Sequence, residues 1–103
     1  MPYADPLTDG ELTDGLARLP DWTHDGGAIR RTITMLDFRA ALALVNRVAD
    51  ATEAANHHPD IEIAQYRRVT FRLTTHAAGG LTVRDLELAA EIDRLAVAVA
   101  AGR

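Results

Sequence analysis

Two short stretches of this chain repeat one pattern. Leu-Thr-Asp-Gly-Glu-Leu at 7–12 and Leu-Thr-Val-Arg-Asp-Leu at 81–86 both read apolar, Thr, two residues, acid, Leu. In such a capping box the Thr hydroxyl accepts from the third helical N–H and the acid reaches back to the Thr N–H. The flanking Leu residues clasp across the turn as a hydrophobic staple. Thr8 therefore starts a first helix and Thr82 a last one, and every other element has to fit between them. Gly10 and Gly15 weaken the first helix and Pro20 ends it. The last runs through Leu86, Ala89, Ala90, Ile92, Asp93 and Val97 to about Ala100.

Between the boxes, Asp25-Gly26-Gly27 is a turn signal, with a short strand around Trp22 before it and a longer one over 28–36 after it. In the longer strand Ile29, Ile33 and Met35 share parity, and Arg31 is the exception. Asp37 caps a second helix whose apolar stripe is Phe38, Ala41, Leu42, Val45, Val48, Ala49 and Thr52. Pro59 cannot continue a helix and pushes His58 out of the α region, so this helix ends near Asn56. Ile61 and Ile63 then alternate, and Val69, Phe71 and Leu73 alternate on a shifted phase, which places a hairpin turn or bulge at Ala-Gln-Tyr-Arg-Arg. The order α-β-β-α-β-β-α, with sequential strands pairing antiparallel, predicts an α+β two-layer domain: a four-stranded antiparallel sheet with helices on one face.

At 103 residues the chain has room for one domain, 1–103, and 48% apolar residues suffice for a core. The absence of Cys excludes disulfides and thiolate metal sites and fits a reducing, cytoplasmic setting. Residues 1–12 lack the basic and apolar regions of a leader, and Leu-Ala-Val-Ala-Val-Ala-Ala is too short to span a bilayer. All 11 basic residues are Arg, but the net charge of −4 and few aromatics argue against nucleic acid as a partner.

Glu53, His57, His58, His76 and Asp85 are the chemically capable residues. Glu53 and His57 are four apart and share a helix face, whereas His58 must point elsewhere. Adjacent His side chains diverge and lack the i, i+4 spacing of helical metal pairs, so the pattern does not specify a metal. Imidazoles at a helix end suit proton transfer at neutral pH. No Gly-x-Ser-x-Gly, Walker or dinucleotide motif occurs, so acyl, phosphoryl and hydride transfer lack their parts. Structural roles compete: Asp85 as the acid of a capping box, Glu53 as a solvated helix residue, His24 as surface beside a turn.

The assembled motif resembles that of the pterin-4a-carbinolamine dehydratase family: acid, three residues, His-His-Pro, an aromatic, nine residues, His, then Asp. Here it reads Glu53, His57-His58-Pro59, Tyr66, His76 and Asp85, with Trp22, Asn-Arg-Val-Ala in the second helix and the segment 75–93 extending the match. Pro59 and Tyr66 are separated by six residues, where the family usually has five; a turn residue or bulge in Ile-Glu-Ile-Ala-Gln-Tyr would absorb the extra one. Asn56 and Ala77 replace residues that are acidic in some members.

The resemblance implies loss of water from a 4a-hydroxytetrahydropterin, without metal or organic cofactor, in a homodimer or homotetramer linked functionally to an aromatic amino-acid hydroxylase. It implies catalytic roles for His57, His58 and His76 and pterin contacts among Glu53, Asn56, Thr74, Thr75 and Asp85. Within that set, His57 and His76 are expected to move protons and His58 to orient the pterin, while Glu53 holds the His57 ring or the pterin edge. The alternative is a non-enzymatic dimerisation module, since some members serve a transcription factor through helical surfaces; Leu-Ala-Leu-Val-Asn-Arg-Val-Ala and Leu-Ala-Val-Ala-Val-Ala-Ala fit such a stripe or a homo-oligomer seam equally. A metal-dependent hydrolase or lyase is a further rival.

Overall fold

The computed structural model describes residues 5–102. The reading of the N-terminus as leaderless therefore falls in part on residues 1–4, outside those described. The elements are α1 (Asp9–Ala17), β1 (Thr23–Asp25), β2 (Ala28–Thr34), α2 (Phe38–Ala55), β3 (Asp60–Ala64), β4 (Arg68–Leu73), a one-turn 3-10 helix (His76–Ala78) and α3 (Val83–Ala100). The strands form one antiparallel sheet in the order β1-β2-β4-β3. This is the expected α+β two-layer arrangement, and none of the described helices is long and apolar enough to cross a membrane.

Both capping boxes form. Thr8 and Glu11 exchange bonds of 3.2 and 2.9 Å, and the Thr8 hydrogen bond holds the Glu11 carboxyl below its usual range. The residues preceding the two boxes meet, Leu7 N–H donating to the Leu81 carbonyl at 2.8 Å, so α1 and α3 start side by side. Gly15 sits against Leu86: a Cβ there would lie 2.5 Å from Leu86 Cδ1, so the Leu86 side chain would have to shift.

The sheet separates its faces by parity. Across β2 and β4, Ile29 pairs with Leu73 and Ile33 with Val69, while Phe71 stands between Arg31 and Ile61. Ile29, Ile33, Val69, Phe71 and Leu73 join Leu44 and Val48 of α2 and Leu88 and Ile92 of α3 in one core. Full burial of a side chain such as Phe71 or Ile92 contributes about 1.5–3 kcal/mol. Arg31 belongs to the inward row because α3 supplies its partner: Arg31 Nη1 and Trp22 Nε1 both donate to Asp93 Oδ1, at 2.5 and 2.8 Å.

Three boundaries or phases differ from expectation. Trp22 precedes β1 instead of lying within it, and β2 stops at Thr34, leaving Leu36 exposed. In α2 the buried positions are Ala41, Leu44, Val48 and Thr52, while Phe38, Leu42 and Ala49 face outward. An Ala- and Leu-rich helix offers more than one candidate stripe, and only the partner surface chooses between them. Gln65 and Tyr66 in the β3–β4 turn both adopt left-handed backbone, at φ 51° and 57°, and β3 pairs with β4 without a bulge.

Candidate active site

Helix α2 ends in a Schellman closure. Asn56 takes the left-handed conformation (φ 50°, ψ 46°), its N–H bonds the Glu53 carbonyl at 3.3 Å, and the His57 N–H bonds the Thr52 carbonyl at 3.1 Å. Asn serves here because its short polar side chain tolerates this region. Pro59 follows, so two histidines leave the helix in different directions.

His57 turns inward. It is 8% exposed, and its Nε2 lies 2.6 Å from Oδ1 of Asp85, which is fully buried in the first turn of α3. The other Asp85 oxygen accepts from the Thr82 N–H at 2.9 Å and from the Thr75 hydroxyl at 2.8 Å. The Thr75 and Thr82 hydroxyls are 2.9 Å apart. The capping-box acid of α3 is therefore also the acceptor for a histidine, and the end of β4 is tied into the same network. With Asp85 ionised, the contact takes a hydrogen on His57 Nε2 and leaves Nδ1 as the ring nitrogen for proton exchange.

His58 turns outward and pairs through Nε2 with the Glu53 carboxylate; both are exposed. This corrects the expectation that Glu53 holds the His57 ring. Although Glu53 and His57 are four apart, the left-handed Asn56 rotates the chain between them, and His57 lies beyond the helical geometry that i, i+4 spacing assumes. An exposed pair of this kind contributes little to stability, so its effect is on where the His58 ring points.

His76 opens the 3-10 turn after Thr75, a segment closed by the Thr75–Gly80 bridge. Its side chain is exposed. Thr74 is engaged elsewhere, its hydroxyl donating to the Gly27 carbonyl at 2.7 Å and fastening this segment to the β1–β2 turn. Tyr66 stands exposed at the far hairpin, with the Arg67 guanidinium 6.0 Å from its ring centre. The structure thus joins His57, Asp85 and Thr75 directly, pairs Glu53 with His58, and holds Asn56 in the backbone link between the two histidines. Thr74 and Tyr66 stand apart from that network.

Among the described residues no three His, Asp or Glu side chains are grouped to hold a metal ion. A groove of about 710 Å³ runs between α2 and α3 and is lined by His57 together with Arg47, Ala51, Arg84, Glu87 and Leu88. His58 and His76 do not line it, so it meets only one of the three histidines. Arg84 escaped the sequence reading. A cation in the first turn of a helix opposes the helix dipole, and that anomaly was its available signal.

Residues 5–95 match the family model described as pterin 4 alpha carbinolamine dehydratase. A relative from Nocardia farcinica, named for pterin-4-alpha-carbinolamine dehydratase, is 56% identical over 90 residues, covering 87% of this chain and 94% of its own. A Chloroflexus aurantiacus relative of the same name is 49% identical over 89 residues, covering 86% and 95%. Among solved structures, a transcriptional coactivator/pterin dehydratase from Brucella melitensis superposes with a TM-score of 0.85 at 33% identity, covering 89% of this chain and 99% of its own. A pterin dehydratase-like protein identified as a RuBisCO assembly factor shares the fold, with a TM-score of 0.60 at 18% identity over 73% of this chain.

Proposed function

Because the chain belongs to the pterin 4 alpha carbinolamine dehydratase family, we propose that it removes water from a 4a-hydroxytetrahydropterin by histidine acid/base catalysis. In this reaction the C4a–O bond breaks as the departing oxygen takes a proton and leaves as water. The N5–H proton is lost, and its bonding electrons form the C4a=N5 double bond of a quinonoid dihydropterin. One group must donate and another must accept, within a tertiary arrangement that keeps both beside the ring.

The observation that carries this reading is the His57–Asp85 contact. A buried carboxylate fixes the His57 ring in one orientation and one tautomer, leaving Nδ1 directed to proton exchange. His76 is the second proton-transfer group, His58 orients the pterin from outside, and Glu53 holds His58 in that position. Asn56 sets the backbone between the two histidines, and Thr75 acts through the buried network around Asp85. General acid/base catalysis of this kind accelerates a reaction about 10²–10⁴-fold. A hydroxylase that makes 4a-hydroxypterins would supply the substrate, and reduction of the product would return the tetrahydropterin.

The test is direct. An aromatic amino-acid hydroxylase generates the 4a-hydroxy intermediate, and its decay is followed spectroscopically with and without this protein. Faster decay that grows with protein concentration and persists in chelator supports the reading; decay at the spontaneous rate refutes it.

A further inference from the structure

The Schellman closure at the end of α2 satisfies the carbonyls of Thr52 and Glu53 but not those of Ala55 and Asn56. No basic residue of α2 itself stands in its last turn. Both carbonyls are met from another element: Arg84 Nη2 lies 2.5 Å from the Ala55 oxygen and 3.2 Å from the Asn56 oxygen. Arg84 is the residue immediately before Asp85 in the first turn of α3, and its own N–H donates to the Thr82 hydroxyl at 3.2 Å. Two consecutive residues of one helix therefore hold two consecutive parts of another. Asp85 holds the His57 ring, and Arg84 holds the backbone from which that ring projects.

We propose that Arg84 is a positioning residue for His57. It latches the C-terminal end of α2 to the N-terminal end of α3, so that the His57 ring meets Asp85 in one geometry. Two features make the guanidinium suited to this. Its Nη2 carries two N–H groups held in the guanidinium plane, so one nitrogen serves both adjacent carbonyls in a fixed geometry that a freely rotating ammonium lacks. Its charge lies at the negative end of the α2 dipole, which offsets its unfavourable place near the positive end of α3. The latch acts on the ring's position and touches no reacting atom, and the catalytic part of the proposal rests on His57 transferring a proton in the dehydration.

The experiment compares the full chain with Arg84→Ala, Arg84→Gln and Arg84→Lys, reading kcat and KM for dehydration, the Tm, and the NMR titration and tautomer of the His57 imidazole. Arg84→Ala and Arg84→Gln are expected to lower kcat about tenfold or more with KM within about twofold, since a small misplacement of a catalytic group is costly. The His57 resonances should move in both, and Arg84→Lys should recover part of kcat. A normal kcat with unchanged His57 resonances in Arg84→Ala overturns the latch. So does a loss that merely follows Tm and is as large in Arg84→Lys, which marks Arg84 as a general stabiliser. Should Arg84→Ala fail to fold, the Gln and Lys variants carry the same comparison. If the parent protein itself does not dehydrate the pterin, the function proposed above fails separately, and the His57 spectra alone then decide: resonances that move in Arg84→Gln support the latch, and unmoved ones refute it.

Discussion

Replacing Asp85 by Asn changes one oxygen to an NH2 group in a site with no space to rearrange. The carboxylate accepts three hydrogen bonds, at 2.6 Å from His57, 2.8 Å from Thr75 and 2.9 Å from the Thr82 N–H. An amide has only one oxygen, so it must choose. If its NH2 faces Thr82, two N–H groups oppose each other in a fully buried position, at a cost of about 1–3 kcal/mol. If its NH2 faces His57, the ring must accept through Nε2 and carry its hydrogen on Nδ1. The backbone of Thr82 cannot adapt and an imidazole can, so the second orientation is expected. Stability then falls mainly by the lost charge-assisted bonding, about 1.5–3 kcal/mol, or roughly 6–24 °C in Tm for a domain of this size. On the proposed mechanism His57 then has no free Nδ1 lone pair for proton transfer, and turnover should fall about 10²–10⁴-fold. Calorimetry gives the first quantity, decay of the 4a-hydroxy intermediate the second, and nitrogen-detected NMR the tautomer. An Asp85→Asn variant that keeps the Nε2–H form and turns over within about threefold of the parent would falsify the argument.

Other substitutions test separate parts of the account. His76→Ala, at an exposed position, should slow dehydration at least about tenfold while leaving Tm nearly unchanged; equal rates in a stopped-flow assay would remove His76 from the mechanism. Leu44→Ala should cost about 2–5 kcal/mol in denaturant unfolding and Leu42→Ala under about 1 kcal/mol, and the reverse order would show the α2 stripe to be misplaced. Glu11 has a folded-state pKa below its ordinary 4.5 because Thr8 hydrogen-bonds the charged form. Its contribution is therefore present above about pH 4.5 and is lost as pH falls below that. Glu11→Gln should flatten this part of the acid dependence of Tm, and superimposable curves for parent and variant would contradict the assignment.

What could be read from sequence was whatever depends on neighbours along the chain. Capping at Thr8, Asp37 and Thr82, the turn at Asp25-Gly26-Gly27 and the stop before Pro59 are local devices, and each lies where its residue types require. The fold order follows from them. What could not be read depends on elements far apart in sequence. Leu42 and Leu44 are equivalent until α3 and the sheet select a face. Glu53 reaches His58 because one left-handed residue intervenes, and Asn56 announces that conformation weakly. The β3–β4 turn was legible from the phase shift between Ile63 and Val69, although it uses Gln and Tyr where Gly or Asn would be expected. Arg31 breaks the apolar parity of β2 because its acceptor, Asp93, comes from α3, 62 residues away in sequence.

On the proposed mechanism, the shared use of Asp85 would make arming the site and finishing the fold a single event. The same carboxylate caps the first turn of α3, ties down Thr75 at the end of β4, and bonds the His57 ring. A molecule whose α3 start has frayed has thereby released its histidine, and a molecule with His57 in place has completed its long-range closure. Partly denatured samples should then contain fully competent and fully silent molecules with little between. Residual turnover during heating or denaturant titration becomes a count of intact molecules, in the same way that a physical probe of tertiary structure counts them.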